Sequence, residues 1–319
     1  MRALVTGNLG MLGTEVSELL GADSSVELTA IDRDELDITD AAAVSECITT
    51  LRPDLVVNCA AYTAVDNCET DADAAQLLNA TAVRNLAEAI ARTDGHLVHV
   101  STDYVFDGTK ATPYNEWDDC NPQSVYGATK RAGEIEAFAA LGEACTVART
   151  SWLCGRYGNN MVKTVMRVAA QPGRLSFVDD QRGHPTFADD LARMLVLLGA
   201  ERRPGIFHVT NAGAVSWYEY VQEILAAIGD DPSRVDAIHT ADLQPPRPAP
   251  RPANSVLENL ALRLAGIEPL GDHREALARC QFMGEVAPRD SGCLKTWAEN
   301  RRRFLGLEPV AAPRPNGER

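Results

Sequence analysis

The sequence lacks a long apolar run, a cleavable leader and an excess of positive charge, and each absence excludes a class of protein. No apolar stretch reaches the ~18 residues that a membrane-spanning helix needs. The N-terminus has no basic region followed by an apolar core and a cleavage site, so we expect a cytoplasmic protein that does not bind membranes. The formal net charge of −15, from 30 Lys and Arg against 45 Asp and Glu, disfavours nucleic acid as a partner because its phosphates would be repelled.

The sequence also lacks the cysteine and histidine spacing of metal sites. Its eight cysteines include no Cys-x-x-Cys pair, and the six histidines are scattered among them. A zinc site or a disulfide framework is therefore a weak interpretation, and reduced thiols are favoured. We predict no metal site.

A glycine-rich turn lies between the first predicted strand and the first predicted helix, which is the context of a dinucleotide-binding fingerprint. Gly7 permits the tight turn, Gly10 lets the backbone approach a pyrophosphate, and Gly13 lets the helix pack against the strand. The helix N-terminus offers N–H groups to the phosphates. A plain glycine-rich turn is the alternative. The predicted cofactor-binding residues in this turn are Gly7, Asn8, Leu9, Gly10, Met11, Leu12 and Gly13.

The second predicted strand ends at Asp32, where an acidic residue would bind ribose hydroxyls. Asp32 favours NADH, whereas the neighbouring Arg33 could accept the 2′-phosphate of NADPH, so the sequence leaves the cofactor open between NADPH and NADH. Asp37 and Ile38 would flank the adenine, although a surface turn explains them equally well.

Apolar strands alternate with helical segments up to about residue 155, which predicts an α/β fold with a Rossmann-type, doubly wound parallel sheet. Beyond that point the pattern loosens, and we expect a smaller, interleaved α/β lobe that binds the substrate. The predicted strands are Met1–Thr6, Leu28–Ile31, Asp54–Asn58, His96–Ser101, Cys145–Thr150 and Gly205–Thr210. The predicted helices include Ala41–Leu51, Ala72–Ala91, Ser124–Leu141, Met161–Ala170, Asp189–Leu198 and Trp217–Ile228.

The length of 319 residues corresponds to about two domains. We predict a nucleotide-binding domain at 1–155, to which 187–210 returns. The substrate-binding lobe comprises 156–186, with Asp180–Thr186 as a polar loop, and 211–282, with an extended proline-rich segment at Leu243–Ala253. Residues 283–319 form a C-terminal extension.

Tyr126 and Lys130 are four residues apart and share a helix face. Lys130 would lower the pKa of Tyr126 from ~10 toward neutrality and hold the nicotinamide ribose. Tyr126 would then give a proton to a carbonyl oxygen as hydride arrives at its carbon. The hydroxyl of Thr102, at the end of the fourth strand, would stabilise the charge on the same oxygen. The alternative is an ordinary surface Tyr–Lys pair.

The glycine loop together with Tyr-x-x-x-Lys resembles the extended short-chain dehydrogenases/reductases. Longer stretches resemble the dTDP-4-dehydrorhamnose reductase family in particular, over roughly residues 1–280. The stretches that carry this resemblance are Cys59–Asp66, Ser101–Gly108, Tyr126–Lys130, Arg149–Trp152, Asp180–Thr186 and Pro248–Ser255.

The resemblance implies reduction of the 4-keto group of a dTDP-4-keto-6-deoxy-L-hexose by NADPH or NADH, which gives dTDP-L-rhamnose. It implies Thr102, Tyr126 and Lys130 as the catalytic residues. It adds Ala60, Ala61 and Tyr62, beside Tyr126 and Lys130, as cofactor-binding residues. The implied substrate-binding residues are Val65, Thr102, Asp103, Tyr104, Tyr126, Trp152, Asn160, Gln181, Thr186, Arg251 and Asn254.

Several of these substrate assignments have a chemical rationale and a plain structural alternative. Trp152 offers an apolar face to a 6-methyl group, or is a core residue. Arg251 can clamp a diphosphate with two parallel hydrogen bonds, or is a surface arginine among prolines. Asn160 could instead cap the helix that follows it. The loop from Gln181 to Thr186 offers amide and hydroxyl partners to a base or sugar, or is purely structural.

The sequence departs from the family at its dimer interface and its C-terminus. Some members form a homodimer through Mg²⁺ held by glutamates. Glu15 matches one such position, but Asp190 stands where a second glutamate is expected, so we do not predict Mg²⁺ and leave the homodimer open. Two alternatives stay open for the function: a reductase of a related nucleotide sugar in secondary metabolism, of the dTDP-dihydrostreptose synthase type, and a non-catalytic regulatory subunit.

Overall fold

A computed structural model describes residues 1–280, so the predicted extension at 283–319 lies outside the described part. The strands are β1 (Arg2–Thr6), β2 (Glu27–Ile31), β3 (Leu55–Asn58), β4 (His96–Thr102), β5 (Cys145–Thr150), β6 (Leu153–Cys154), β7 (Leu175–Val178), β8 (Arg182–Gly183), β9 (Thr186–Phe187), β10 (Gly205–His208), β11 (Val215–Ser216) and β12 (Val235–Ile238). The α-helices are α1 (Met11–Gly21), α2 (Ala41–Leu51), α3 (Val65–Cys68), α4 (Ala72–Gln76), α5 (Ala82–Ile90), α6 (Val125–Leu141), α7 (Met161–Ala169), α8 (Ala188–Ala200), α9 (Trp217–Ala227), α10 (Leu260–Leu264) and α11 (His273–Cys280).

The central sheet has six parallel strands in the order β10-β5-β4-β3-β1-β2. Its inner strands β3 and β5 are buried at every residue, as expected for a parallel sheet covered on both faces. Thr102, the last residue of β4, is paired with Thr150 at the end of β5. The ends of β1, β3 and β4 lie at the same edge, which is where ligands bind in open α/β sheets.

Helices cover both faces of this sheet, which confirms the predicted doubly wound α/β fold. On one face α1 and α8 bury Val16, Leu20 and Leu195 against the strands. On the other face α2, α5 and α6 form a second apolar core that includes Ile48 and Leu86. Because each helix has an apolar stripe of 3.6-residue period, burying that stripe holds it on the sheet.

The smaller lobe has its own apolar core, built from α7, α9, α11 and short strands. Tyr220 and Ile224 of α9 are fully buried there with Val165 of α7 and Phe187 of β9. Three small sheets complete the lobe among the described residues: β12 pairs parallel with β7, β11 pairs antiparallel with β8, and β6 pairs parallel with β9. The sequence predicted this lobe as interleaved; its boundaries at 156–186 and 211–282 stay a prediction.

Three predicted elements differ from the structure. The helix expected over Ala72–Ala91 is interrupted by a π-helical turn at Leu77–Thr81. The loop expected over Asp180–Thr186 contains β8 and the start of β9. The strand expected over Gly205–Thr210 ends at His208. Within residues 1–280, no helix has both the length and the apolar character required to cross a membrane.

Candidate active site

The glycine loop is packed so closely that two of its positions accept no side chain. Gly7 has a φ of 71°, and a Cβ built on it would lie 2.7 Å from the backbone nitrogen of Ala60. A Cβ on Gly13 would lie 2.0 Å from the carbonyl oxygen of Gly7. Gly10 is less constrained, since its Cβ would be 3.2 Å from that same oxygen. The loop therefore holds the N-terminus of α1 against the end of β1.

A pocket of about 650 Å³ opens beside this loop at the carboxyl edge of the sheet. It contains ten of the residues predicted to bind the cofactor, namely Gly7, Leu9, Gly10, Asp32, Arg33, Asp37, Ile38, Ala60, Ala61 and Tyr62. The other six predicted residues are not among its lining residues, and Leu12 packs in the core instead; they are Asn8, Met11, Leu12, Gly13, Tyr126 and Lys130. The size, the glycine loop and the helix N-terminus fit a dinucleotide.

Asp32 connects the glycine loop to the end of β2. Its Oδ2 accepts a hydrogen bond from the Leu9 backbone N–H at 3.0 Å, and its Oδ1 accepts from the Arg33 N–H at 2.8 Å. A carboxylate has about four acceptor positions, so these two bonds leave room for ribose hydroxyls. Asp37 accepts from the hydroxyl and N–H of Thr39, which lower its pKa.

Asn79, which the sequence analysis missed, fixes the loop after β3. The Oδ1 of this side chain accepts from the Tyr62 N–H at 2.8 Å, and its Nδ2 donates to the Tyr62 carbonyl and to Thr129 Oγ1, both at 3.1 Å. Asn79 thus joins the predicted cofactor loop to the helix that carries Lys130. The sequence did offer one signal for this role, namely a polar residue within an apolar helical segment. In the structure Asn79 lies in the π-helical turn and has no exposed surface.

Tyr126 and Thr102 are brought together where α6 begins. Ser124 caps this helix by accepting from the Gly127 N–H at 3.1 Å. A Cβ on Gly127 would lie only 2.2 Å from the carbonyl oxygen of Tyr104, so glycine lets the first turn approach the end of β4. The Thr102 hydroxyl is near enough to the Tyr126 phenol to lower its pKa, and its own proton is donated to Asp103 Oδ1 at 3.0 Å. The ring of Tyr104 meets that of Tyr126 edge-on, with centroids 5.6 Å apart.

Lys130 is buried beneath this pair. Its Nζ donates to the Val100 carbonyl of β4 at 2.6 Å, and the side chain is 2% exposed. Burial lowers the pKa of Lys130 to about 8, although Glu134 and Cys59 nearby oppose the shift. The charge of this ammonium is therefore sensitive to pH just above neutrality.

The pKa of Tyr126 differs from the expectation. The sequence predicted that Lys130 lowers it, but burial raises the pKa of Tyr126 above its usual value, with only the Thr102 hydroxyl opposing the shift among the main causes. The expected effect fails in this arrangement because the Lys130 ammonium donates to the strand backbone. Burial also raises the pKa of Asp103 to about 6, and Asp103 accepts from Thr102 Oγ1 at 3.0 Å.

A buried ion pair, also missed from the sequence, anchors α6 one turn after Lys130. Glu134 Oε1 accepts from Arg149 Nε at 2.8 Å and from Ser101 Oγ at 2.6 Å. Its Oε2 accepts from Arg149 Nη2 and Arg131 Nη1, both at 2.7 Å. Because Ser101 precedes Thr102, this carboxylate fixes the helix against the same strand end that carries Thr102.

Trp152 stands beyond the end of β5 in a constrained position. Its indole stacks on Trp217 with ring centroids 3.6 Å apart and an interplanar angle of 9°. Its φ is 44°, which is strained for a bulky residue. A Cβ on Gly183 would lie 2.6 Å from the Trp152 ring, so glycine is required there. Trp217 therefore covers one face of the indole expected to contact the sugar.

Arg251 is paired with Asp66 in the structure. Two parallel hydrogen bonds join them, from Nη1 to Oδ1 at 2.5 Å and from Nη2 to Oδ2 at 2.8 Å. The fork expected to clamp a diphosphate is thus occupied by a carboxylate of the same chain. Asp66 belongs to α3, which begins at Val65, another residue expected near the sugar.

Three of the other expected substrate residues use their polar groups within the fold, whereas the buried hydroxyl of Thr186 has no hydrogen-bond partner among the described residues. Asn160 caps α7 by accepting from the Lys163 N–H at 3.2 Å. Gln181 donates to Thr240 Oγ1 at 2.9 Å, and Thr186 has no exposed surface. Asn254 donates to the carbonyls of Lys110 and Thr112.

Asp190, the position at which the family resemblance suggested a metal ligand, is neutralised by arginines. Both of its oxygens lie 2.7 Å from Arg279 Nη2 of α11, and Arg193 of α8 pairs with Oδ1. Glu15 lies in the second turn of α1. The Asp190 carboxylate therefore binds guanidinium groups from both α8 and α11, and its pairing with Arg279 connects the two helices.

Comparison with known proteins gives consistent matches over the part of the chain described above. The model of a family described as the RmlD substrate binding domain matches residues 1–283. A probable dTDP-4,6-dihydroxy-2-methyloxan-3-one 4-ketoreductase of Streptomyces antibioticus is 47% identical, over 87% of this chain and 93% of the relative. A dTDP-4-dehydrorhamnose reductase of Streptomyces griseus is 42% identical, over 90% of this chain and 97% of the relative. The structure of a dTDP-4-dehydrorhamnose reductase from Bacillus anthracis in complex with NADP superposes with a TM-score of 0.83, at 35% identity over 87% of this chain and 97% of that chain.

Proposed function

We propose that this chain, which belongs to the RmlD substrate binding domain family, is an NAD(P)H-dependent oxidoreductase that reduces the 4-keto group of a dTDP-4-keto-6-deoxy-L-hexose. The proposed substrate is dTDP-4-dehydro-L-rhamnose and the product is dTDP-L-rhamnose. One keto-sugar, one NAD(P)H and one proton give one alcohol and one NAD(P)⁺. The names of the Streptomyces griseus and Bacillus anthracis relatives support this assignment.

The observation that carries the proposal is the placement of Tyr126, at the start of α6, next to Thr102 at the end of β4, with Lys130 one helical turn away. Thr102, Tyr126 and Lys130 do not line the pocket beside the glycine loop, but Cys59, which does, is near enough to Lys130 to affect its pKa. A proton donor, a hydroxyl and a cation are thus grouped at the same edge of the sheet as the dinucleotide-sized pocket. Reduction of a ketone requires that combination.

The residues around the pocket fit a dinucleotide. Gly7, Gly10 and Gly13 with the start of α1 would hold the pyrophosphate, Asp32 or Arg33 the adenosine ribose, and Ala60–Tyr62 the nicotinamide end. Asp37 and Ile38 would lie near the adenine. When bound, the reduced nicotinamide supplies the hydride.

Tyr126 is the proposed proton donor. Its raised pKa keeps the phenol protonated at neutral pH, which a general acid requires. Thr102 would hydrogen-bond the carbonyl oxygen and stabilise its developing negative charge. Lys130, charged below about pH 8, would hold the nicotinamide ribose by donating hydrogen bonds to its hydroxyls.

A second candidate is a 4-ketoreductase for another dTDP-linked deoxysugar of secondary metabolism. The Streptomyces antibioticus relative favours it, since this 4-ketoreductase is 47% identical. Both candidates share the chemistry at C4 and differ in the ring substituents that the pocket must accept. We therefore propose the same catalytic residues for either substrate.

The test is a coupled assay in which upstream enzymes convert dTDP-glucose to the keto-sugar and this protein is added last. Oxidation of NADPH or NADH is followed by absorbance, and the product is identified by NMR. We expect dTDP-L-rhamnose. A different reduced dTDP-sugar would favour the second candidate, and no oxidation of either cofactor with any dTDP-4-keto-sugar would contradict both.

A further inference from the structure

A chain of buried hydrogen bonds runs from the end of β1 across β3 and β4 to Lys130, and we infer that Asn58 and His99 are positioning residues that act through Lys130. Asn58 fixes the tautomer of His99 so that the Nε2–H group of the imidazole faces the Lys130 amine. This inference rests on the proposed function, in which Lys130 holds the nicotinamide ribose. It gives the two residues a part in setting the charge of that amine.

Asn58, the last residue of β3, has a side-chain amide whose orientation is fixed by its neighbours. Its Oδ1 accepts from the Ala60 backbone N–H at 3.1 Å and from Thr6 Oγ1 at 2.8 Å. Because a backbone N–H can only donate, the amide oxygen must face Ala60 and the amide nitrogen must face the other way. Nδ2 therefore faces His99, 3.1 Å from Nδ1 of the ring. Both Thr6 and Ala60 line the pocket beside the glycine loop.

This orientation determines which nitrogen of His99 carries the proton. An amide nitrogen can only donate, so Nδ1 of His99 accepts and is unprotonated. Burial lowers the pKa of His99 well below its usual value, and the charge of Lys130 acts in the same direction, so the ring is neutral at neutral pH. The single proton of a neutral imidazole must then lie on Nε2.

The Nε2–H group of His99 faces the amine of Lys130. Lys130 Nζ lies 3.4 Å from His99 Nε2 and 2.6 Å from the Val100 carbonyl oxygen, to which it donates. An ammonium has no lone pair to accept the imidazole N–H, whereas a neutral amine has one. The contact with His99 therefore favours the neutral form of Lys130.

The other titratable groups that face Lys130 act in the opposite direction. Glu134, one turn later on α6, and Cys59, directly after β3, both raise the pKa of Lys130. The Glu134 carboxylate is itself paired with Arg149 through two hydrogen bonds, which compensates its charge. Burial and the Nε2–H of His99 thus favour the neutral amine, and the first experiment measures that tautomer directly.

The tautomer is read by ¹⁵N NMR of the full chain labelled in its six histidines, because protonated and unprotonated ring nitrogens differ widely in chemical shift. We expect His99 to keep the Nε2–H tautomer below and above about pH 8. Its Nε2 shift should change slightly, with the midpoint of the basic limb of kcat/KM. His96, on the same strand, bonds Thr146 at 2.7 Å and is the internal control without that change. An Nδ1–H tautomer or an imidazolium at His99 would overturn the inference.

Asn58→Asp should reverse the tautomer with little change in side-chain shape. One carboxylate oxygen still accepts from Thr6 and Ala60, but the other can only accept, so His99 must carry its proton on Nδ1 and present an accepting Nε2 to Lys130. We expect the basic limb of kcat/KM to move upward by on the order of one pH unit. Gln171→Glu, which adds the same charge at an exposed position after α7, is the matched control and should leave the limb in place.

His99→Phe removes the N–H group and keeps a ring, so the limb should move upward here as well. It also separates the role of the tautomer from the added charge in Asn58→Asp. An unmoved limb in His99→Phe, or an equal shift in Gln171→Glu, would overturn the inference. A wild-type protein that reduces no dTDP-4-keto-sugar would instead refute the proposed function, and the His99 spectrum would still decide the tautomer.

Discussion

At the scale of single residues, burial rather than charge pairing sets the protonation states in the candidate site. It raises the pKa of Tyr126, raises that of Asp103 to about 6 and lowers that of Lys130 to about 8. The phenol is therefore neutral and the ammonium charged at neutral pH. This is the starting state that proton donation to a ketone requires.

Tyr126→Phe removes the proposed proton donor and keeps the ring that packs against Tyr104. We expect kcat to fall by ~10²–10⁴ because general-acid catalysis is lost, while the Kd for NADPH, measured by fluorescence titration, is unchanged. Tyr218→Phe is the control. It also removes a tyrosine hydroxyl, one that accepts a hydrogen bond from Gln222. Full turnover in Tyr126→Phe would exclude this residue as the acid.

The Lys130 pKa of about 8 predicts how activity depends on pH. The group is an ammonium below that pH and a neutral amine above it, and the neutral amine would hold the nicotinamide ribose less tightly. We therefore expect kcat/KM to fall as the pH rises through about 8, and Lys130→Met to show low activity without this fall. A profile of Lys130→Met that keeps the same basic limb would assign the titration to another group.

The spacing of Tyr126 and Lys130 predicted that they share a helix face, since four residues make about one turn. The direction of the Lys130 side chain was not predictable, because its partner is the Val100 carbonyl on a strand 30 residues earlier. The pairing of the Arg251 guanidinium with Asp66 was not predictable for the same reason, since Asp66 lies 185 residues away in the chain. Local sequence specifies the type of group, and distant contacts specify its partner.

At the scale of elements, α1 depends on glycine where it meets β1. Gly13→Ala would push a methyl group to 2.0 Å from the Gly7 carbonyl oxygen, so the loop must move. We expect NADPH binding to be lost or weakened at least tenfold, because the backbone could no longer approach the pyrophosphate. The measurement is a fluorescence titration with NADPH.

Gly21→Ala is the matched control within the same helix. The nearest atom to its added Cβ is a Leu28 methyl group at 3.5 Å, which is an ordinary contact. Its NADPH affinity should equal that of the wild type. Normal affinity in Gly13→Ala would show that the loop can relax without disturbing the cofactor pocket.

The strands and helices of the sheet were predicted to within one or two residues, because buried parallel strands and amphipathic helices have distinct apolar periods. The π-helical turn at Leu77–Thr81 was not predictable from that period. Asn79 within it bonds Tyr62 and Thr129, which come from two other elements. π-Helical turns are frequent at functional sites, and this one borders the proposed cofactor pocket.

At the scale of the whole molecule, the chain passes from the sheet into the smaller lobe and back again. We propose 1–155 with 187–210 as the nucleotide-binding domain, and 156–186 with 211–282 as the substrate-binding lobe. The division predicts two separate responses in hydrogen-exchange mass spectrometry. NADPH should slow amide exchange in the glycine loop and at the ends of β1 to β3, whereas dTDP should slow it in 244–254.

Inorganic phosphate at the same concentration is the control ligand for this measurement, and it should protect neither region. Protection of 244–254 by NADPH alone would argue against the proposed division. Equal protection of both regions by dTDP would also argue against the proposed division.

β10 comes more than 50 residues after its partner β5 in the sequence, and this separation affects the chain while it is being synthesised. The residues of β10, Gly205–His208, pair with β5 on the side away from β4. A nascent chain that has left the ribosome only as far as residue 200 therefore leaves the β5 backbone groups on that side unpaired. Exposed strand edges of this kind recruit other chains. Truncations that stop before residue 205 should therefore aggregate, whereas the full-length chain covers β5 with β10, an edge strand of only four residues.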